Sequence, residues 1–506
     1  MPINRVGFQE RIVLFGLLLG LLGASVVLFI SQLVAPQTIL VAGLLLDRLS
    51  AAIALLVASV GTVVFRFSVR YLDGEPHQQA FLRWLTGTVF AAYTMMIATN
   101  LILLFGAWLL TSISLHQLLT FYQHRPQAHR PARKKFLISR LGDVALLTAF
   151  VLIWTQWQTL NLHTFLERLN QPTTWDLAPT AVALLIVIAA LTKSAQFPFH
   201  SWLPETMEAP TPVSALMHAG IINAGGVLLL RFAPLLVSVP LALFNLALVG
   251  TLTVLIGMLA MWAQTNVKRS LAWSTVSQMG FMMIQIGVAA FPAAALHIIG
   301  HGFYKAWAFL RTGGVPAPAP KPVTLAPAVA LLLLVIGTLV ALPVMYLAAL
   351  LTGFDPFQSP GKLALSAIVA LGMGHVWVAF FRARPHATVI QPALGALLST
   401  VLATLIAFGL YQGAEIYLAP VYGALPIVVT PLSYAAAILP VLAIALLSII
   451  NITLPQIAST ATGRSFYLHA LHGFYIGAYA DKLVESVWRD QPAPQESGVG
   501  VRRTAA

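Results

Sequence analysis

The stretch TKSAQFPFHSWLPETMEAPTPVSALMHAG, residues 192–220, directly follows the apolar run LLIVIAAL at 184–191. Lys193 therefore ends a hydrophobic segment, five residues before Pro198. A proline interrupts a helix and frees backbone carbonyls, which gives a lysine polar partners at membrane depth. Ionisable groups inside a bilayer are costly and usually functional, so Lys193 is a candidate for ion or proton transfer. The alternative is a helix-end lysine that snorkels to the interface.

The composition around this stretch predicts a polytopic membrane protein. Of 506 residues, 59% are hydrophobic and 8% are charged, against about 25% charged in soluble domains. The mean hydropathy is +0.86. The net charge of +13 is explained by loop topology, and no basic run interleaved with aromatics indicates nucleic-acid binding. The absence of cysteine excludes disulfides, cysteine nucleophiles and thiolate-bound iron–sulfur clusters, so any electron transfer belongs to another subunit.

Fourteen apolar stretches are long enough to cross a bilayer, which needs about 20 residues. They lie near 11–34, 48–68, 81–99, 101–122, 136–157, 179–197, 206–231, 238–262, 269–289, 293–312, 325–350, 361–381, 391–412 and 432–455. The 35–50 stretch is ambiguous. We therefore predict an all-α fold with about fourteen transmembrane helices.

The distribution of Lys and Arg predicts that both termini are cytoplasmic. The basic loop QHRPQAHRPARKK at 123–135 falls on the inside, whereas the outside loops 158–178 and 413–431 hold only Arg168. The first apolar run has no clear cleavage site, so we expect a retained helix rather than a signal peptide. GGVPAPAPKP at 313–322 is a predicted linker, and the tail ending in PAPQESGVGVRRTAA is predicted to be partly disordered.

Further ionisable residues lie within apolar segments. His297, His301 and Lys305 are spaced i, i+4, i+8, so they share one helix face and suit a proton relay. The alternatives are core histidines with satisfied hydrogen bonds, or zinc binding, for which no Cys or nearby carboxylate completes a site. Asp143 either modulates the charge of a nearby cation or forms a structural pair with Arg140, three residues earlier.

His218 and Lys268 complete the candidate pathway. His218 lies among small residues that allow close helix packing, and the alternative is a packing histidine. Lys268, in NVKRSLAWSTVSQMGF at 266–281, is either a pathway residue or a cytoplasmic anchor. No residue is predicted to be catalytic, and no metal site or cofactor is predicted in this chain.

The motifs at 192–220, 266–281 and 297–310 resemble the proton-conducting antiporter-like subunits of respiratory complex I and the Mrp antiporters. A weaker similarity, FYLHALHGFYIG at 466–477, involves the C-terminal segment of the complex I subunit. The resemblance implies two inverted five-helix repeats, each with a broken helix, and a central line of lysines and histidines. It places Lys193 on the first broken helix, Asp143 in the RxGD motif, and His218, Lys268, His297, His301 and Lys305 along the line.

The implied organisation has five parts. They are N-terminal helices at 1–80, a first repeat at 81–231, a second repeat at 232–385 with the linker, C-terminal helices at 386–462, and a cytoplasmic tail at 463–506.

Two departures from the family are visible. The membrane glutamate of its Trp-Glu-Gly motif is replaced by Leu109, after Trp108. The stretch 325–350, where the resemblance implies a second broken-helix lysine, contains no lysine. A short chain with altered ion-pair residues resembles the membrane subunit of DAB-type inorganic carbon accumulation complexes.

That resemblance implies a bacterial inner-membrane subunit that conducts protons or Na⁺. It would couple an ion gradient to CO2 or bicarbonate accumulation by a large soluble DabA-type partner, which resembles a β-carbonic anhydrase and holds zinc. Hydration chemistry would belong to the partner, so this chain would not be an enzyme. The alternatives are a proton-pumping subunit of complex I, a membrane hydrogenase or an Mrp antiporter, and a transport-inactive scaffold for a soluble enzyme.

Overall fold

The computed structural model describes residues 5–123, 125–314, 325–384 and 387–488. Most of linker 313–322 and the end of the predicted disordered tail lie outside these residues. The described part contains nineteen α-helices: α1 Arg5–Val34, α2 Arg48–Tyr71, α3 Gln78–Ile97, α4 Leu101–Leu119, α5 Pro126–Trp157, α6 Leu162–Glu167, α7 Ala178–Lys193, α8 Thr211–Ala219, α9 Ala224–Arg231, α10 Ala233–Ser238, α11 Pro240–Ala263, α12 Val267–Gly287, α13 Phe291–Leu310, α14 Pro327–Thr352, α15 Pro360–Ala383, α16 Ile390–Tyr422, α17 Pro431–Ile457, α18 Ala461–Leu471 and α19 Ile476–Val487.

Eleven helical segments of the described residues are long and apolar enough to cross a membrane, with α8 and α9 counted together. Each of the fourteen predicted stretches coincides with a helix, but three helices fall outside the eleven. Helix α7 has only 16 residues, while α12 and α13 carry polar and ionisable side chains along their length. The predicted all-α membrane fold is therefore confirmed, whereas the count of fourteen is not.

The ambiguous stretch at 35–50 forms a short β-hairpin. Strand β1 Ile39–Val41 pairs antiparallel with β2 Leu44–Leu46. Residues Ala42 and Gly43 between them both have positive φ, as a tight two-residue turn requires. Leu44 also bridges to Ala98, where α3 gives way to α4, so the hairpin covers one end of the helical bundle.

The chain from α7 to α9 is interrupted twice, as the prolines and small residues predict. Helix α7 ends at Lys193, and a non-helical segment leads to a 3-10 helix at Leu203–Glu208. A second 3-10 turn at Ile221–Asn223 separates α8 from α9. The Ser194 hydroxyl donates to the Ile222 carbonyl at 2.7 Å, which ties the two interruptions together. Helix α14, in contrast, is continuous although Pro343 lies inside it.

One segment differs from the sequence-based prediction. Residues 126–135, predicted as part of a loop, form the first turns of α5. Helix α18 reaches into the predicted tail and α19 lies within it, before the stretch predicted to be disordered. Helix α19 packs against α5 because Asp481 and Glu485 face Arg130, with oxygen–nitrogen distances of 3.5 and 2.9 Å.

Helices α11 and α12 approach closely through facing glycines. A Cβ atom added to Gly250 would lie 2.6 Å from the Gly280 carbonyl oxygen, and one added to Gly280 would lie 2.8 Å from the Gly250 oxygen. Contacts this short are closer than van der Waals distance, so both positions require a residue without a side chain. Small residues at helix interfaces are the usual means of close packing in membranes.

We predict that Gly250→Ala destabilises the protein by about 1–3 kcal/mol, because the methyl group forces the two backbones apart. Gly372→Ala on α15 is the matched control, since a Cβ there meets no atom within 4 Å. The measurement is the thermal aggregation midpoint of the detergent-purified protein. Equal midpoints for the two variants would contradict this account of the interface.

Candidate ion-pathway residues

Lys193 is buried where α4, α5 and α7 meet. Its Nζ donates to the Trp108 carbonyl at 3.1 Å, the Thr111 hydroxyl at 2.7 Å and the Ser112 hydroxyl at 3.3 Å. The same atom lies 4.3 Å from the centroid of the Trp108 ring. Each described partner is neutral. The ammonium is therefore held by dipoles and a ring face rather than by a carboxylate.

Asp143 contacts Arg140 and Trp108 rather than Lys193. Arg140 Nη2 lies 2.7 Å from Asp143 Oδ2, and Trp108 Nε1 donates to Oδ1 at 2.8 Å. The Asp143 side chain is 8% exposed, whereas that of Arg140 is 39% exposed. The i,i+3 pair considered from the sequence is thus present. Among the described residues, Trp108 contacts both side chains: its indole N–H donates to Asp143, and its ring and carbonyl contact Lys193.

Leu109, which the resemblance places at the position of the family's glutamate, is half-buried beside Trp108. It offers no polar atom beyond its backbone. The hydroxyls of Thr111 and Ser112, one turn further along α4, contact Lys193 instead. Trp108, the tryptophan that precedes this position, contacts Lys193 through its carbonyl and its ring.

His297, His301 and Lys305 share one face of α13, as their spacing predicts. All three line a cleft of about 500 Å³ between α12, α13 and Tyr411 of α16. His297 Nδ1 lies 2.8 Å from Gln285 Oε1, and the ring centroids of His297 and His301 are 5.9 Å apart. Lys305 donates to the Leu271 carbonyl at 2.9 Å and also contacts the Ser274 hydroxyl.

Neither ring nitrogen of His301 has a hydrogen-bond partner among the described residues. Buried polar groups in proteins are normally paired with protein or water. The adjoining cleft is large and polar enough to supply that water. The arrangement therefore allows a hydrated row of titratable groups.

His218 connects this row to α8. Its Nδ1 lies 3.0 Å from the Thr275 hydroxyl of α12, and its ring stacks on Phe309 of α13 with centroids 4.3 Å apart. His218 Nε2 has no partner among the described residues. The histidine therefore packs and also retains one free ring nitrogen, so the two interpretations of its role are compatible.

Lys268 lies apart from the residues around Lys193 and from the α13 row with His218. It lies in the first turn of α12 and is half-buried. Among the described residues, no hydrogen bond or ion pair links its side chain to the other candidates. Its place at a helix end fits a cytoplasmic anchor as well as a pathway residue.

The first turns of α5 contain two buried lysines, Lys134 and Lys135, whose positive charge was expected only to set the topology. Lys134, 1% exposed, forms ion pairs with Glu205 at 2.7 Å and Asp481 at 2.6 Å. Lys135 donates to the Ser112 carbonyl at 2.7 Å. Burial raises the pKa of the Glu205 carboxyl, and Lys134 opposes that shift. If residues 126–135 had been predicted as helical, Lys134 and Lys135 would have been expected to face the bundle.

A second buried ion pair, between Arg231 and Asp47, was also not predicted from the sequence. Arg231 Nη1, at the end of α9, lies 2.6 Å from Asp47 Oδ2, and Arg231 donates to the Met96 carbonyl at 3.1 Å. Asp47 also caps α2 by accepting from the Ser50 backbone N–H at 2.7 Å. This cluster fastens the end of α9 to the hairpin end of the bundle.

The family model described as NADH:quinone oxidoreductase/Mrp antiporter, TM matches residues 98–381, more than half of the chain. The chain belongs to this antiporter family. The matched range contains every residue predicted for the ion pathway. A second model, described as NADH-Ubiquinone oxidoreductase (complex I), chain 5 N-terminus, matches residues 37–82. The resemblance found in the motifs is confirmed, and the chain is an antiporter-like, multi-pass membrane subunit.

Three relatives show the range of the antiporter family. The chain is 46% identical over 263 residues to the probable inorganic carbon transporter subunit DabB2 of Halothiobacillus neapolitanus, covering 52% of this chain and 48% of that one. It is 40% identical to the probable inorganic carbon transporter subunit DabB of Hydrogenovibrio crunogenus, covering 51% and 50%. It is 37% identical to the chloroplastic NAD(P)H-quinone oxidoreductase subunit 5 of Poa pratensis, covering 52% and 38%. The matches thus span half or less of these relatives.

Solved structures extend the similarity to nearly the whole chain. A chain of the Mrp complex from Dietzia sp. DQ12-45-1b is 26% identical, with a TM-score of 0.59, and covers 96% of this chain and 58% of that one. A chain of the archaeal membrane-bound sulfane sulfur reductase is 17% identical, with a TM-score of 0.53 and 93% coverage of both. The second similarity shows a shared fold.

We predict that Asp143→Asn lowers ion-driven activity about tenfold or more while the amount of assembled protein stays near wild type. Asparagine keeps the oxygen that accepts from Trp108 but removes the charge near Lys193, and the half-exposed Arg140 can turn to water. Asp143→Glu should be partly tolerated. The measurement is activity beside the quantity of folded protein in both variants.

Two results would contradict this view of Asp143. Full activity in Asp143→Asn would remove its charge from the mechanism. Loss of folded protein would assign it to a structural pair, because an uncompensated buried group is strongly destabilising.

We also predict that His301→Gln impairs function in a pH-dependent manner, because glutamine forms hydrogen bonds but cannot take up a proton. No group of three or more potential metal ligands occurs among the described residues. The control is Gln278→Ala, which changes another residue of the cleft lining without removing a titratable group. Stoichiometric zinc in the purified subunit that disappears in His301→Gln would overturn the proton-relay assignment.

Proposed function

We propose that this chain is the ion-translocating subunit of an inorganic carbon accumulation complex. It conducts protons or Na⁺ down a gradient and couples that flow to CO2 or bicarbonate accumulation. The single observation that supports ion translocation best is the burial of Lys193 among neutral partners between α4, α5 and α7. A lysine in this setting gains little from remaining permanently charged, so it can load and release a proton.

The second lysine group supports the same function. Lys305 is 1% exposed and donates to a carbonyl and a hydroxyl, with the Tyr304 ring centroid 5.8 Å from its Nζ. His297 and His301 continue from it along the cleft. Two buried lysines in neutral surroundings, with histidines beside one of them, are costly to maintain for structure alone. Lys193, Asp143, His218, Lys268, His297, His301 and Lys305 are the proposed pathway residues.

The carbon substrate and the partner are inferred from the relatives. The 46% and 40% identical proteins are named as inorganic carbon transporter subunits. We place hydration of CO2 in a large soluble, zinc-containing, carbonic-anhydrase-like partner, and this subunit in the bacterial inner membrane with cytoplasmic termini. This chain then needs no cofactor of its own.

A proton or cation antiporter of the Mrp type is the second candidate. The structural similarity to a chain of an Mrp complex covers 96% of this chain and favours it. The two functions differ in their partner. Affinity purification of the tagged chain from its native membrane, followed by mass spectrometry, should recover a large zinc protein for the first and other membrane antiporter subunits for the second.

We predict that Lys193→Ala abolishes growth at ambient CO2 of a carbon-uptake-deficient host that expresses the complex. The substitution removes the proton-loading group, while the Thr111 and Ser112 hydroxyls remain available to water. Lys362→Ala is the control, because that lysine is paired with Glu415 at 2.7 Å away from both proposed groups. The complex should still be recovered in both variants.

Wild-type growth of Lys193→Ala would exclude this lysine from the mechanism. Growth of the wild-type strain that persists after an uncoupler collapses the ion gradient would contradict the proposed function itself and favour a scaffold.

A further inference from the structure

The lysine at position 135 lies beside the central lysine of the first group. Lys135 Nζ donates to the Ser112 carbonyl at 2.7 Å, and Lys193 Nζ contacts the Ser112 hydroxyl at 3.3 Å. Two ammonium-bearing side chains from different helices, α5 and α7, therefore converge on one residue of α4. Lys135 is only 4% exposed. It has no carboxylate within ion-pair distance among the described residues.

We infer that Lys135 and Lys193 act as a pair in which only one of the two amines is protonated at a time. Lys135 thereby controls when Lys193 can take up a proton. Both ammonium groups contact Ser112, and two positive charges around one residue in a low-dielectric site repel each other. Protonation of the second amine is therefore disfavoured. The inference rests on the proposed function and deepens it. Lys135 is a positioning residue in this account because it acts through the charge of Lys193.

The neighbouring charges do not neutralise the pair. On α5, Asp143 is paired with Arg140 at 2.7 Å, so the guanidinium opposes the negative charge that Asp143 presents to the two lysines. On α4, His116 lies one turn beyond Ser112, and its Nδ1 has no partner among the described residues. From α19, Asp481 faces Lys134 at 2.6 Å rather than Lys135.

The adjacent lysine shows what full compensation looks like in this structure. Lys134, one residue earlier on α5, meets two carboxylates, from Glu205 and Asp481. Lys135 instead meets one backbone carbonyl. Consecutive helix residues point in directions about 100° apart, so Lys134 faces the tail helix and Lys135 faces Lys193. The two lysines are therefore distinct in role although they are adjacent in sequence.

The test is the pH dependence of reductive methylation of Lys193 in the full-length purified protein, read by mass spectrometry with formaldehyde and a borane reductant. The reagent modifies only neutral amines. Lys135→Met removes the repelling charge, so the midpoint for modification of Lys193 should rise by about one pH unit or more. Lys135→Arg, which is permanently charged, should lower it. Lys362→Met is the control and should leave the midpoint unchanged.

An unchanged Lys193 midpoint in Lys135→Met would overturn the shared proton, whatever the protein transports. A purely structural Lys135 predicts that outcome. The growth assay at ambient CO2 is the second measurement, and Lys135→Met should shift its pH optimum upwards. If the methylation midpoint moves while growth never depends on the ion gradient, the lysine pair stands and the proposed function fails.

Discussion

The ammonium group of Lys193 is buried in an apolar bundle, and its described partners are a carbonyl, two hydroxyls and an aromatic ring. Hydrocarbon offers such a group nothing, so the surrounding helices must supply each dipole. This requirement explains the interruption after Lys193, the hydroxyls on α4, and the position of the Trp108 ring. The resemblance implies a carboxylate at Leu109, and in this chain neutral groups hold the lysine instead.

Polar connections divide the interior into two groups with different surroundings. The first, around Lys193, is buried and is joined through Trp108 to the Asp143–Arg140 pair. The second, around Lys305 and the α13 histidines, borders an open cleft. His218 belongs with the second group through Thr275 and Phe309. One helix interruption follows Lys193, and the other follows α8, which carries His218. The Ser194–Ile222 hydrogen bond joins these two interruptions.

Much of this arrangement could be predicted from the sequence. Hydropathy located the helices, Pro198 located the break after Lys193, and the i, i+4, i+8 spacing placed His297, His301 and Lys305 on one face. Long-range partners could not be predicted, because a period along one helix does not show which helix it meets. Lys134 and Lys135 were missed for that reason, and because positive charge near a helix end also has a topological explanation.

The contact between Lys134 and Asp481 has a consequence for how the molecule is made. Lys134 enters the bundle early in translation, whereas its carboxylate partner on α19 is synthesised long afterwards. Until α19 docks, Glu205 is the one carboxylate among the described residues that pairs with Lys134. Docking of the last described helix and full compensation of a lysine buried in the bundle therefore occur together, which couples α5 to the end of the described chain during folding.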